Sequence, residues 1–238
     1  MIVIKRSSIV IISVLILTVF TFVVCFGAIS QTTIGEASST GIKVVLDAGH
    51  GGVDKGVSGV NTNTPESELN LSVVKKLEKF FIDAGISVVL TRSSDAGLYG
   101  FATKNLKKKD MQKRSEIINK AEPDLVISIH MNKYSLSSRR GAQVFYKNSS
   151  KQGKLLASCV QNSFNNMEQS SRECSSLSGD YYILNCSDFP SIIAECGFLS
   201  NPKDEALLIT DEYQNDIAYA IFKGAIDYLS QTSDKLSK

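Results

Sequence analysis

The stretch "VVLDAGHGG" (44–52) decides how this chain folds. An apolar run ends in Asp47 and passes through Ala48 and Gly49 into His50, followed by two more glycines. "DLVISIHMN" (124–132) repeats the arrangement, with His130 at the end of a second apolar run. These are the only 2 histidines among 238 residues. Short apolar runs of this kind read as buried strands. In open α/β sheets, ligands bind beyond the carboxyl ends of the strands, where both histidines fall.

Working outward, strand-like runs at 43–46, 87–91, 125–130, 142–146, 181–184 and 191–195 alternate with helical patterns at 66–84, 111–120, 154–165 and 211–229. The alternation predicts an α/β layer protein with a mostly parallel sheet flanked by helices. The runs lack clean period-2 alternation, as expected of strands covered on both faces. The stretch 93–110 reads as a long loop. Its lysine run at 107–109 reads as a solvated face.

The chain divides into four parts. Residues 1–30 carry Lys5 and Arg6 and then no charge until Glu36, which reads as a signal peptide or membrane anchor. The apolar stretch exceeds an ordinary h-region of ~7–15 residues and reaches the ~20 that span a bilayer, which favours an uncleaved anchor. Cys25 follows Val23 and Val24, so no lipoprotein cleavage site is expected. Residues 31–41 read as a linker, 42–230 as one domain and 231–238 as a polar tail. The expected location is therefore exported, anchored or secreted. Net charge is +2, which carries no nucleic-acid footprint. The 5 cysteines include no C-x-x-C pair, so neither a disulfide framework nor a cysteine zinc site is expected, though one disulfide stays open.

Two histidines at strand ends, able to converge, suggest a shared metal, and catalytic zinc takes a third protein ligand while leaving a position open. "NTPESELNL" (63–71) offers Glu66 and Glu68. With Thr64 as cap and Pro65 in the first turn, the apolar series Leu69, Val73, Leu77, Phe80, Ala84 puts Glu66 on the sheet side. Glu68 falls on the wet side with Ser72, Lys75, Lys76 and Lys79, and reads as an ion-pair partner of Lys75 or Lys76. Glu66 is thus the candidate ligand; its alternative role is to complement the helix dipole. Glu195 ends an apolar strand, where a carboxylate is costly unless paired or reactive, and it is the candidate base. Cys196 should face the opposite side, as a small core residue. Gly49, Gly51 and Gly52 are followed by no Gly-Lys-Ser/Thr and read as turn formers beside the metal, not a phosphate loop. Asp47 reads as a support for His50 or as a turn aspartate, and Arg92 and Arg114 as structural ion pairs rather than substrate clamps.

The motifs "VVLDAGHGGVDKGVSG", "ESELNL", "VVLTRSSD", "RSEIINKAEPDLVISIHMN" and "IIAECGFLSNPKDEALL" together resemble the zinc-dependent N-acetylmuramoyl-L-alanine amidases, in order and at matching spacing over 42–229. "SSRRGAQVFYKNSSKQGKLLA" and the lack of wall-binding repeats resemble the sporulation-type amidases of endospore formers. The resemblance implies a six-stranded sheet, one zinc on His50, Glu66 and His130, and Glu195 as catalytic glutamate. It implies hydrolysis of the amide between N-acetylmuramic acid and L-alanine in peptidoglycan, on the way to muramic δ-lactam in the spore cortex. A functional link to a muramic acid deacetylase, an accessory protein for localisation or site stability, and a place in the intermembrane space of the forespore follow as expectations. The chain departs from the family pattern at Ala48, at Glu66-Ser67-Glu68 and at Cys196, none of which removes a functional group. A wall-peptide carboxypeptidase using Arg92 or Arg139, or a silent wall-binding protein, are the competing readings.

Overall fold

The computed structural model describes residues 40–170 and 172–236, the side chains only to residue 232. The expected export segment and nearly all of the expected linker lie outside the described residues. Strands β1 (Lys43–Ala48), β2 (Ser87–Leu90), β3 (Leu125–Asn132), β4 (Gln143–Tyr146), β5 (Leu177–Ser178) and β6 (Ser191–Phe198) form one sheet in the order β2-β1-β3-β6-β4-β5. The first four strands of that order run parallel, and β4 is antiparallel to β6. Helices are α1 (Glu66–Asp83), α2 (Leu106–Ala121), α3 (Lys151–Asn165), α4 (Tyr182–Asn185), α5 (Pro202–Leu208) and α6 (Asp211–Leu236).

Alternation along the central strands sorts their side chains to two faces. Val44, Leu46 and Ala48 of β1, Ile127 and Ile129 of β3, and Ile192, Ala194 and Cys196 of β6 join one core cluster with residues of α1, α3 and α6. Val45, Val126 and Ile193 join Ile118 of α2 and Ile183 and Leu184 of α4 on the other face. Each such fully buried aliphatic side chain contributes about 1.5–3 kcal/mol over an exposed one, so layer packing holds the sheet. The polar members of the second series are Asp47, Ser128, His130 and Glu195, and they cap that face at the strand ends. In the β3–β6 ladder His130 pairs with Glu195, and the register shifts before Asn132 meets Phe198.

Several expectations are corrected. The run 181–184 is not a strand: Tyr182–Asn185 is a helical turn, and Leu177–Ser178 takes the sheet edge beside β4. In the turn, Ile183 and Leu184 are buried against the sheet face. The loop after β2 is shorter than expected, because α2 begins at Leu106. Helix α5 was not expected, yet Asn201 caps it by accepting from the Lys203 and Asp204 amides, with Pro202 in its first turn. Helix α6 runs on to Leu236 through residues read as a tail. Thr64 does not cap α1; Pro65 occupies the N-cap position, and the Thr64 hydroxyl bonds Thr62 instead.

Candidate active site

Three elements deliver the site. His50 stands two residues past β1 and takes a left-handed conformation, φ 60°. His130 belongs to β3 itself. Glu66 is the first residue of α1 and is only 2% exposed. Its Oε1 lies 2.8 Å from His130 Nδ1, and its Oε2 lies 3.3 Å from His50 Nε2. The two imidazole rings meet edge to face, 5.0 Å between centroids. One donor atom from each of His50, Glu66 and His130 lies within 4.8 Å of the others. A pair of imidazole nitrogens and a carboxylate is the donor chemistry that suits a divalent transition metal.

The carboxylate of Glu66 is fixed by the backbone as well. Oε2 accepts from the Val57 amide at 3.0 Å; Oε1 accepts from the Met131 amide at 3.2 Å and from Asn70 Nδ2 at 3.3 Å. Burial alone would raise its pKa, but the hydrogen bonds to His130 and His50 outweigh burial and hold it far below the usual carboxylate range. Burial pulls His50 down, yet the carboxylates of Glu66 and Asp54 carry its pKa above the ordinary value. Asp54 Oδ1 lies 3.0 Å from His50 Nδ1 and so fixes the ring. Glycines shape the same space: Gly51 and Gly52 take φ of 135° and 64°, and a Cβ on Gly49 would run into the His130 imidazole.

Glu195 stands across the ladder from His130. Its Oε2 is buried and makes no hydrogen bond. Burial pushes its pKa up to about 7, opposed by the His130 charge and assisted by that of Glu66. A carboxyl group so poised can both take and return a proton near neutral pH. Cys196 is fully buried on the other face, and burial raises its thiol pKa strongly, so it is a core residue as expected. Cys159, Cys174, Cys186 and Cys196 are all free thiols.

Glu68 is exposed and outside the cluster. Neither expected partner pairs with it: among the described residues Lys75 makes no ion pair, and Lys76 pairs with Asp211. Asp47 accepts from Thr91 and Ser128 at 2.6 Å each and pairs with Arg114; these outweigh burial and lower its pKa to about 2. Arg92 and Arg114 are buried and bonded within the protein, but only Arg114 makes the expected ion pairs, with Asp47 and Asp110; Arg92 bonds carbonyl oxygens instead. Asn70 and Asp54 join the site without having stood out in the sequence. Asn70 was legible in principle, as it follows Glu66 by one helical turn; Asp54 carried no signal beyond that of a turn.

A cleft of about 210 Å³ opens over His50, His130 and Glu195. Lys107, Asp110 and Met111 of α2 line one flank, and Tyr181, Tyr182 and Ile183 line another. Arg92 and Arg139 do not line it. Arg92 is spent on backbone carbonyls, and Arg139 lies over the Tyr134 ring. This removes both residues offered for recognition of a free peptide carboxylate.

The chain is similar to known proteins in sequence and fold. The family model described as N-acetylmuramoyl-L-alanine amidase matches residues 44–227. The germination-specific N-acetylmuramoyl-L-alanine amidase of Bacillus subtilis (strain 168) is 33% identical over 195 residues, covering 80% of this chain and 81% of that protein. The CwlD amidase of Clostridioides difficile, solved in complex with the GerS lipoprotein, is 34% identical with a TM-score of 0.77, over 79% of this chain and 98% of that one. An N-acetylmuramoyl-L-alanine amidase of Clostridium difficile 630 is 30% identical with a TM-score of 0.70, over 79% and 97%. Fold and likeness agree, and the chain belongs to the N-acetylmuramoyl-L-alanine amidase family of peptidoglycan hydrolases.

Proposed function

We propose that this amidase cleaves the bond between the lactyl carbonyl of N-acetylmuramic acid and the nitrogen of L-alanine with one zinc held by His50, Glu66 and His130. The observation that carries the reading is the unpartnered Glu195 carboxyl beside that converging donor set. Zinc bound there supplies Lewis acidity toward water and toward the amide carbonyl. Glu195 takes a proton from the attacking water as the C–O bond forms at the lactyl carbon. It returns that proton to the alanine nitrogen as the C–N bond breaks, leaving a muramic carboxylate and a free stem amine. The Glu66 carboxylate, gripped by two backbone amides, keeps the two histidines facing one point. Mass spectrometry of digested muropeptides tests the reaction. Loss of whole stems is expected; loss of only a terminal amino acid would indicate a carboxypeptidase, and no change a binding protein.

The biological setting is read from likeness to a germination-specific amidase. We infer a role in cortex maturation: the muramic carboxyl stays locked in an amide until this enzyme frees it, and only then can a deacetylase-dependent step close the δ-lactam. An exported, anchored or secreted chain in the forespore intermembrane space fits that task. The CwlD amidase was solved with the GerS lipoprotein, which supports an accessory partner here as well. Deleting the gene should leave growth normal and spores without muramic δ-lactam. Normal lactam with a defect in daughter-cell separation would point to a vegetative septal enzyme.

A further inference from the structure

The segment that delivers His50 exposes three successive carbonyls to two buried guanidinium groups. Arg92 Nε donates to Ala48 O at 2.8 Å, and its Nη2 donates to Gly49 O at 3.0 Å and to Ser67 O at 2.8 Å. Arg114 Nη1 donates to Ala48 O at 2.8 Å and its Nη2 to His50 O at 2.6 Å. Arg92 is 4% exposed and Arg114 2%. Arg114 is balanced by Asp47 and by Asp110, 2.7 Å from its Nε. Among the described residues no carboxylate pairs with Arg92; carbonyl oxygens satisfy it, including Ser94 O at 2.9 Å.

Burying two cations is expensive, and buried ion pairs are poor sources of net stability. Their placement says what the expense secures. A left-handed non-glycine residue is strained and persists only where its surroundings over-determine it. Here the carbonyls of residues 48, 49 and 50 are each taken by an arginine, which fixes the peptide planes on either side of the His50 Cα. Through Ser67 O, Arg92 also grips the residue after Glu66. One planar guanidinium thereby ties the His50 loop to the first turn of α1. A lysine ammonium, a point charge without the fork, cannot reproduce that span.

We propose that Arg92 and Arg114 are positioning residues for the metal site, setting the approach of His50 toward Glu66 and hence the affinity for zinc. The inference rests on the zinc reading above. The test uses the full chain and zinc competition with a chromophoric chelator. Arg92→Lys and Arg114→Lys should fold, judged by circular dichroism, and lose about 10- to 100-fold in zinc affinity, the range typical of groups that orient ligands from behind. Cobalt-loaded variants should show altered visible absorption, a report on ligand geometry that loss of stability alone does not move. Gln214→Ala removes a buried polar tie between α1 and the α5–α6 junction; it should lower Tm while leaving zinc affinity intact. Asp110→Asn, a milder change that loosens Arg114 in place, should weaken zinc several-fold even if a lysine variant does not fold. Wild-type zinc affinity and an unchanged cobalt spectrum in the folded variants would overturn the proposal. Failure of the wild-type chain to bind zinc would overturn the underlying site instead.

Discussion

The floor of the cleft and its flanks are built on opposite terms. His130 and Glu195 sit on central strands with hydrogen-bonded neighbours on both sides, and Glu66 and Asp47 are almost fully buried. The tyrosines of the flank, Tyr181 and Tyr182, are 40% and 52% exposed and lie at a helical turn of four residues. The candidate catalytic groups of the floor thus stand on paired or buried backbone, whereas the cleft flank is an exposed helical turn. A proton relay tolerates displacement of a fraction of an ångström, whereas contact with a polymer tolerates more.

Substitutions should divide along the same line. The largest effect belongs to the floor: His130→Ala should reduce zinc from one per chain to nearly none, read by metal analysis, and full occupancy would break the comparison. Glu195→Gln should keep zinc and fold while losing about 10²–10⁴-fold in rate, the share a positioned base contributes. Asp47 makes a pH test. Its pKa is about 2 in the fold against 3.8 ordinarily, so its contribution is complete above pH ~4 and vanishes as pH falls toward 2. That contribution is roughly 2–3 kcal/mol. Asp47→Asn should therefore lower Tm at pH 6 and flatten its decline between pH ~5 and ~2.5; an unchanged acid limb would separate Asp47 from the stability of the floor. On the flank, Tyr182→Ala should raise KM roughly two- to tenfold, the worth of one aromatic contact, with kcat and zinc unchanged. A fall in kcat as large as that of Glu195→Gln would erase the distinction. Smallest of all, Glu68→Ala on the wet face of α1 should leave zinc and rate alone.

The same division separates what the sequence displayed from what it hid. Central strands were legible because an apolar run ending in a histidine or a glutamate buries a polar group, which is costly unless that group is paired or reactive. Glu66 was preferred to Glu68 by helical spacing alone, and the structure buries the first and exposes the second. The run 181–184 misled because four apolar residues fit a strand or a helical turn equally, and tertiary packing decides. A two-residue strand such as β5 has too little pattern to see. The left-handed backbone at His50 was hidden too, since the arginine that binds its carbonyl, Arg114, lies 64 positions away in the chain. Asn201-Pro202 at the start of α5 was the opposite case, a capping signal present but unread.

The pairing of His130 with Glu195 on the last regular rung of the β3–β6 ladder makes catalysis here a matter of phase. Strand side chains alternate faces, so sliding β6 by one residue would exchange Glu195 for Ala194 or Cys196. The same slip would turn the Glu195 carboxylate onto the apolar face covered by α1, α3 and α6, where burying it is costly. The position beside His130 would then hold a methyl or a thiol in place of the candidate base. A single-residue insertion or deletion between Ser191 and Ala194 would therefore strike core packing and chemistry together, and the arithmetic of the strand is as much a part of the active site as the side chains it counts out.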